Sequence, residues 1–219
     1  MDTASVLRNQ LVDSLVERGL LKSPPFEAAF REVARHLFLP GVPLAVAYSD
    51  EAVPTKADRR RLLSSSSQPA MMAIMLEQLQ LASGMNVLEI GAGTGYNAAI
   101  IAHIVGESGH VTTLDIDADT SAAAAAHLDC AGFERVDVIC ADGRRGWPAR
   151  APYDRIIATA AVASPPTAWM AQLHERGIIV APVGGLDGQR SVALERAGSP
   201  LVERSSVCCS FMLLRDTAS

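Results

Sequence analysis

The sequence predicts an α/β protein: a doubly wound, mostly parallel, Rossmann-like sheet with helices on both faces, a closing antiparallel edge strand and an N-terminal helical cap. Three observations predict it. From residue 86 onward, short apolar runs alternate with amphipathic or alanine-rich stretches, the order in which strand, crossover helix and parallel strand follow one another. The first such run, Val87-Leu88-Glu89-Ile90, leads straight into Gly91-Ala92-Gly93-Thr94-Gly95-Tyr96, a glycine turn at the carboxyl end of a strand, where open parallel sheets bind ligands. Residues 1–80 lack that alternation and show helical spacing instead. The expected division is therefore 1–80 for the cap and 81–219 for the ligand-binding domain.

Taken in order, Leu7, Leu11, Leu15 and Val16 fall at helical spacing and Gly19 stops the first helix. Ser23-Pro24-Pro25 opens a second, with Ser23 as cap and proline in the first turn. Its apolar stripe is Phe26, Phe30, Val33 and Ala34, and His36-Leu37-Phe38-Leu39-Pro40 ends it. Residues 41–63 have no clear period. A third helix is expected over 68–81. Strands are expected at 87–90, 110–114, 136–140 and 155–158, with helices at 96–105, 120–131 and around 168–174. Closing strands at 177–182, 191–194 and 206–213 follow, the last two paired as a hairpin at one edge.

Composition narrows the function classes. With 49% apolar and 20% charged residues among 219, the chain can bury a sizeable core. The net charge of −5 argues against nucleic acid as an obligatory partner, because phosphate binding needs a basic surface. No apolar run reaches the roughly 18 residues of a membrane span. The first 19 residues form an amphipathic helix without the apolar centre of a signal peptide, so a cytoplasmic location is expected. Cys130, Cys140, Cys208 and Cys209 fit neither a zinc nor a CxxC pattern; they read as reduced, buried side chains, and no metal site is expected.

The glycine loop carries the ligand chemistry. A dinucleotide fingerprint is G-x-G-x-x-G, with pyrophosphate on the helix N-terminus. Here the pattern is G-x-G-x-G, and Tyr96 stands where the last glycine belongs. The loop suits a nucleoside without pyrophosphate, which argues against a nicotinamide-dependent oxidoreductase. Asp115, twenty residues after Gly95 and followed by Ile116, stands where an acid accepts from both ribose hydroxyls. Asp117 is its competitor. Asp142-Gly143, after the third strand, can receive an adenine amino group while Gly143 leaves backbone room. Singly, each acid is more often a helix cap; in register with the loop, ligand binding is the better reading.

With these residues in place, the sequence resembles the protein-L-isoaspartate O-methyltransferases. The matching pieces are Ser67-Gln68-Pro69 with Met72-Ala73 and Met75, Val87 to Tyr96 with Ala98-Ala99, and Asp142-Gly143-Arg144-Arg145-Gly146. Tyr153-Asp154-Arg155-Ile156-Ile157, Gln172-Leu173 and Ala181-Pro182-Val183-Gly184 continue the match. Upstream, Val33-Ala34-Arg35-His36-Leu37-Phe38-Leu39-Pro40 and Ala47-Tyr48-Ser49-Asp50 resemble the family's N-terminal signature. The resemblance implies an S-adenosylmethionine-dependent methyltransferase domain over 81–219, with S-adenosylhomocysteine as product. The methyl acceptor it implies is the side-chain carboxylate of an isoaspartyl, or aspartyl, residue in a protein or peptide.

By the same resemblance, Ser67 is the active-site serine beside the acceptor; its other reading is a cap for the helix that follows. Glu89, Gly91, Ala92, Gly93, Thr94, Gly95, Tyr96, Asp115, Ile116, Asp142 and Gly143 form the implied cofactor set. Ser66, Ser67, Lys56 and Gln189 form the implied substrate side. Lys56, Arg59, Arg60 and Arg61 can add a diffuse attraction for acidic peptides. A carboxylate is ionised at neutral pH and needs no general base, so a site without a His/Asp pair fits this chemistry.

The segment 53–63 departs from the short, glycine-containing connection usual in repair enzymes of the family. It leaves a second reading open, the tailoring of an aspartate in a ribosomally made peptide of the lanthipeptide kind. A non-catalytic peptide-binding module is a third, against which the glycine loop and Ser67 speak.

Overall fold

The computed structural model describes residues 2–58, 61–185, 187–198 and 201–215. α1 (Thr3–Glu17) is capped by Asp2, whose carboxylate accepts from Ser5 N at 2.7 Å. α2 (Pro24–Glu32) ends earlier than its apolar stripe suggested, because Val33 is extended; a 3-10 turn, Arg35–Phe38, follows it. Ser23 makes no cap hydrogen bond. Its hydroxyl donates to Glu77 Oε2 at 2.7 Å, while Glu77 Oε1 accepts from Lys22 N and Ser23 N. A carboxylate from a distant helix thus takes the orphan donors ahead of α2.

The stretch without a period is not structureless. It holds one helical turn, α3 (Leu44–Ala47), and an antiparallel hairpin of β1 (Val53–Asp58) and β2 (Arg61–Ser66). β1 buries only Val53 and shows no apolar alternation, so the periodicity rule had nothing to read. Arg59 and Arg60 of the expected basic patch, and the side chain of Arg61, lie outside the described residues, as does Leu186 of the loop before Gln189.

α4 (Pro69–Leu79) leads into the main sheet. Its strands are β3 (Asn86–Ile90), β4 (His110–Asp115), β5 (Asp137–Cys140), β6 (Tyr153–Ala158), β7 (Leu173–Gly185), β8 (Gly188–Glu195) and β9 (Val202–Cys209). The order is β5-β4-β3-β6-β7-β8-β9, parallel from β5 to β7 and antiparallel for β8 and β9. β8 alone runs against the other strands, and with β9 it forms the hairpin expected at one edge. α5 (Tyr96–Val105), α6 (Ala118–Cys130) and α7 (Thr167–Gln172) are the crossover helices.

Both faces of the central strands are buried, so successive residues belong to different packing layers. Val87, Val111, Ile157 and Val180 pack with α1, α2, α4 and α5, whereas Leu88, Leu114, Ile156 and Ile179 pack with Trp169 of α7. The cysteines depart from expectation. All are free, but Cys130, Cys140 and Cys208 are exposed and Cys209 is half-buried. Cys140 ends β5 and Cys208-Cys209 end β9, the two outermost strands, where burial is shallowest.

Candidate active site

The sheet order reverses between β3 and β6, and the crevice above their carboxyl ends is where such sheets take ligands. The glycine loop is tied down on both sides of it. Gly91 N and Ala92 N donate to Leu114 O at 2.8 and 2.9 Å, and Thr159 N donates to Ile90 O at 2.9 Å. Gly91 has φ of +101°, and a side chain there would strike Thr159, so the turn requires glycine.

A cavity of about 720 Å³ opens over this loop, within the range of small-molecule sites. Gly91, Ala92, Gly93, Thr94, Tyr96, Asp115, Ile116 and Gly143 line it on one side, Ser66 and Ser67 on the other. Eight of the eleven residues expected at the cofactor and two of the four expected at the substrate are therefore brought together.

Asp115 is the polar centre of the glycine-loop side of the cavity. Oδ2 accepts from Gly93 N at 3.2 Å and Oδ1 from Asp117 N at 3.1 Å, one backbone donor each, which leaves lone pairs for hydroxyl donors. Burial pushes its pKa above the usual carboxylate range. Its competitor Asp117 is already committed: it caps α6 through Thr120 N at 2.9 Å and pairs with Lys56 at 2.7 Å. That ammonium, ahead of desolvation, holds Asp117 at about 2.

The remaining residues are placed differently from expectation. Lys56 does not reach the cavity, because its ammonium is held by Asp117 and Asp119 at 2.7 and 3.0 Å. Gln189 is buried and clamps the backbone of Phe211: Nε2 donates to Phe211 O at 3.0 Å and Oε1 accepts from Phe211 N at 2.6 Å. Gly95 caps α5 and faces α6, where a side chain would press on Ala124 and Leu128.

Asp142 caps the 3-10 turn Gly143–Arg145 and grips Arg144 through both oxygens, at 3.1 and 2.9 Å. The Arg144 guanidinium lowers its pKa. Only its neighbour Gly143 lines the cavity, close against Ile90 and with its carbonyl accepting from Trp169 Nε1 at 2.7 Å.

Glu89 is fully buried behind the wall. It accepts from Asn97 Nδ2 at 2.7 Å and Thr113 Oγ1 at 2.6 Å, pinning α5 and β4 to β3. Desolvation lifts its pKa to about 7 against these two hydrogen bonds. A carboxyl whose folded pKa is raised contributes stability that is full below its unfolded pKa, near 4.5, and is lost as pH rises through about 7. Glu89→Gln is accordingly expected to match the parent in thermal stability near pH 5 and to exceed it by roughly 1–3 kcal/mol near pH 8. Parallel stability curves would show that Glu89 stays ionised throughout.

Ser67 is not the cap of α4. The N-cap position is Gln68, and Ala70 N is satisfied by Asp50 Oδ1 at 2.8 Å. Among the described residues, the Ser67 hydroxyl has no hydrogen-bond partner, while its carbonyl accepts from Arg35 Nη1 at 3.0 Å. The residues that sequence reasoning missed include Thr159, Ala160 and the whole of 208–215, which crosses from the end of β9 over the cavity. Ala161 N donates to Met212 O, and Leu214 N donates to Ala161 O, both at 2.8 Å. No motif marks this segment; Gln189 was noticed, but its partner was not visible.

Comparison with known proteins decides the family. The family model described as Protein-L-isoaspartate(D-aspartate) O-methyltransferase matches residues 6–218. The chain belongs to this family. A protein-L-isoaspartate O-methyltransferase of Rhodopseudomonas palustris is 43% identical over 189 residues, 84% of this chain and 83% of that one. A solved protein-L-isoaspartate O-methyltransferase structure is 33% identical with a TM-score of 0.88, covering 95% of this chain and 66% of that chain. A Plasmodium falciparum structure in complex with S-adenosyl-L-homocysteine shares the fold at a TM-score of 0.83 and 16% identity, over 98% of this chain and 99% of that one.

Membership makes the chain a class I, S-adenosylmethionine-dependent O-methyltransferase whose family acts on isoaspartyl residues. The oxidoreductase and binding-module readings are set aside by it, and nothing in the comparisons favours peptide tailoring over the family reaction. Among the described residues, no helix is long and apolar enough to cross a membrane.

Proposed function

We propose that this protein methylates the free carboxylate of isoaspartyl residues in damaged proteins and peptides, with Ser67 orienting the acceptor and the glycine loop and Asp115 holding the donor. The observation that carries the reading is one cavity shared by an unpartnered serine hydroxyl and a half-buried carboxylate with one backbone donor on each oxygen. The donor residues fit S-adenosylmethionine: glycine backbone leaves room for a nucleoside, and Asp115 keeps acceptor capacity for ribose hydroxyls. When bound, that cofactor supplies a methyl group already activated on a sulfonium. The chain's own task is then orientation and exclusion of water. The Ser67 hydroxyl donates to one acceptor oxygen and leaves the other free to attack; no proton has to be moved.

Residues 1–80 serve as the substrate-side cap and 81–219 as the cofactor domain. Asp142 is assigned the base preference: beyond the lone pairs that hold Arg144, each oxygen keeps acceptor capacity, and one receives the adenine amino group beside Gly143. The partners are proteins or peptides rather than nucleic acid or membrane, in a cytoplasmic setting, in keeping with the acidic net charge. Asp115→Ala is expected to weaken S-adenosylhomocysteine binding by about 1–3 kcal/mol, the range for hydroxyls left unpaired. Asp142→Asn should lose less than Asp142→Ala, because the amide still accepts one bond. Calorimetry on the three variants checks both, and unchanged affinity for the Asp115 variant would remove it from the ribose.

Repair and tailoring are separated by a panel of short isoaspartyl peptides with unrelated flanking residues. A repair enzyme methylates them with KM values within about tenfold of one another. Turnover of one flanking context alone, or of aspartyl peptides in preference, would favour tailoring.

A further inference from the structure

Two charged side chains are wholly buried among the described residues, Glu89 and Arg35. Glu89 has its hydrogen-bond partners. Among the described residues, no carboxylate lies within ion-pair distance of Arg35. The nearest candidate, Asp50, is spent elsewhere: Oδ2 pairs with Arg18 at 2.7 Å and Oδ1 accepts from Ala70 N at 2.8 Å. The Arg35 guanidinium instead donates through Nη1 to Ser67 O at 3.0 Å and to Met72 Sδ at 3.8 Å, and reaches Glu51 O from Nη2 at 3.5 Å. Its carbon stands 5.3 Å from the centroid of the Tyr96 ring, and Nε has no partner.

Carbonyls and an aromatic face offset part of the cost of burying a guanidinium, but they do not neutralise it. An arginine keeps its proton in such a setting, so the charge persists. Its location gives it a use. Ser67, Met72, Glu51 and Tyr96 all line the cavity, and Arg35 does not. The cation lies one layer behind the wall that carries the Ser67 hydroxyl. Water does not screen it there, so its field reaches into the cavity more strongly than a surface charge would.

We propose that Arg35 is a positioning and selectivity residue whose uncompensated charge makes the acceptor side of the cavity prefer a carboxylate over a neutral group of the same shape. The single hydrogen bond from Nη1 to the Ser67 carbonyl fixes the backbone that carries the serine hydroxyl. The charge draws the anion to that hydroxyl. Methyl transfer converts the anion into a neutral ester, so the attraction ends with the reaction and the product is released more readily than the substrate. This inference rests on the isoaspartyl-carboxylate reading above.

The test compares Arg35→Lys, which keeps the charge, with Arg35→Gln, which keeps a donor for the Ser67 carbonyl but no charge. Arg35→Met serves as a second neutral variant should the glutamine protein fail to fold. Calorimetry in saturating S-adenosylhomocysteine measures binding of an isoaspartyl peptide and of a twin in which the free carboxylate is a carboxamide. The parent should prefer the carboxylate by about tenfold or more, an effect of about 1.4 kcal/mol. Arg35→Lys should keep most of that preference. Arg35→Gln should bind the two peptides alike, with S-adenosylhomocysteine affinity within about twofold of the parent.

A neutral variant that keeps the preference overturns the proposal. So does equal loss in the lysine and glutamine proteins accompanied by weaker S-adenosylhomocysteine binding, which would mark Arg35 as wall structure only. A parent that does not prefer the isoaspartyl carboxylate overturns the functional reading itself, and that result is visible before any variant is made.

Discussion

Gly91→Ala is expected to weaken S-adenosylhomocysteine binding by about a hundredfold or more and to lower the melting temperature as well. Two costs add. The φ of +101° is one that a side-chain-bearing residue adopts at roughly 1–3 kcal/mol. A Cβ would also lie 2.4 Å from Thr159 Oγ1. That oxygen cannot swing away freely, since it donates to Gly91 O at 2.8 Å and belongs to the tie between β3 and β6. The loop must move instead, and with it the backbone that faces Asp115.

A double-mutant cycle separates the two costs. Thr159→Ala removes the collision but not the strained φ, so adding it to Gly91→Ala should restore part of the affinity and never all of it. Parent-like binding by Gly91→Ala would show that the cofactor does not sit on this loop.

The second large effect is on turnover. Ser67→Ala should lower kcat by about ten- to a hundredfold while S-adenosylmethionine affinity stays near that of the parent, the pattern of an interaction that orients the acceptor. The alternative role, capping α4, is closed by Gln68 at the cap position and by Asp50 on Ala70 N. Fold stability should therefore change by less than about 0.5 kcal/mol, as for a substitution that breaks no internal bond. A variant that turns over normally would remove Ser67 from the mechanism. One that melts early would return it to structure.

Much of the glycine-loop side of the cavity was legible because its signals are local. The glycine loop, Asp115 and Gly143 each follow a strand that reads as one, and a parallel sheet carries the ends of neighbouring strands to one crevice. Glu89 shows the limit of that reasoning. It sits in the motif, yet alternation along β3 turns its side chain into the protein, toward Asn97 and Thr113. Lys56 and Gln189 were misread for a related reason. Their partners, Asp117 and the backbone of Phe211, lie 61 and 22 residues away, and nothing in sequence spacing announces such pairs.

The hairpin of β1 and β2 was invisible because β1 buries only Val53 and the residues that β2 buries, Ser64 and Ser66, are polar, so neither strand shows an apolar alternation. The segment 208–215 was read as a strand to residue 213, whereas β9 ends at Cys209 and the chain then turns over the cavity under the grip of Gln189. Arg35 stood in plain view inside the N-terminal signature. Its lack of an anionic partner became apparent only once burial and distances were known.

The most direct test of this account is mass spectrometry of a synthetic isoaspartyl peptide and its aspartyl twin after incubation with the protein and S-adenosylmethionine. The isoaspartyl peptide should gain the mass of one CH2 per site, a methyl replacing a proton; the twin should remain unmodified at the same time point, and Ser67→Ala should slow the gain without abolishing cofactor binding. Methylation of both peptides at equal rates, or of neither, would contradict it.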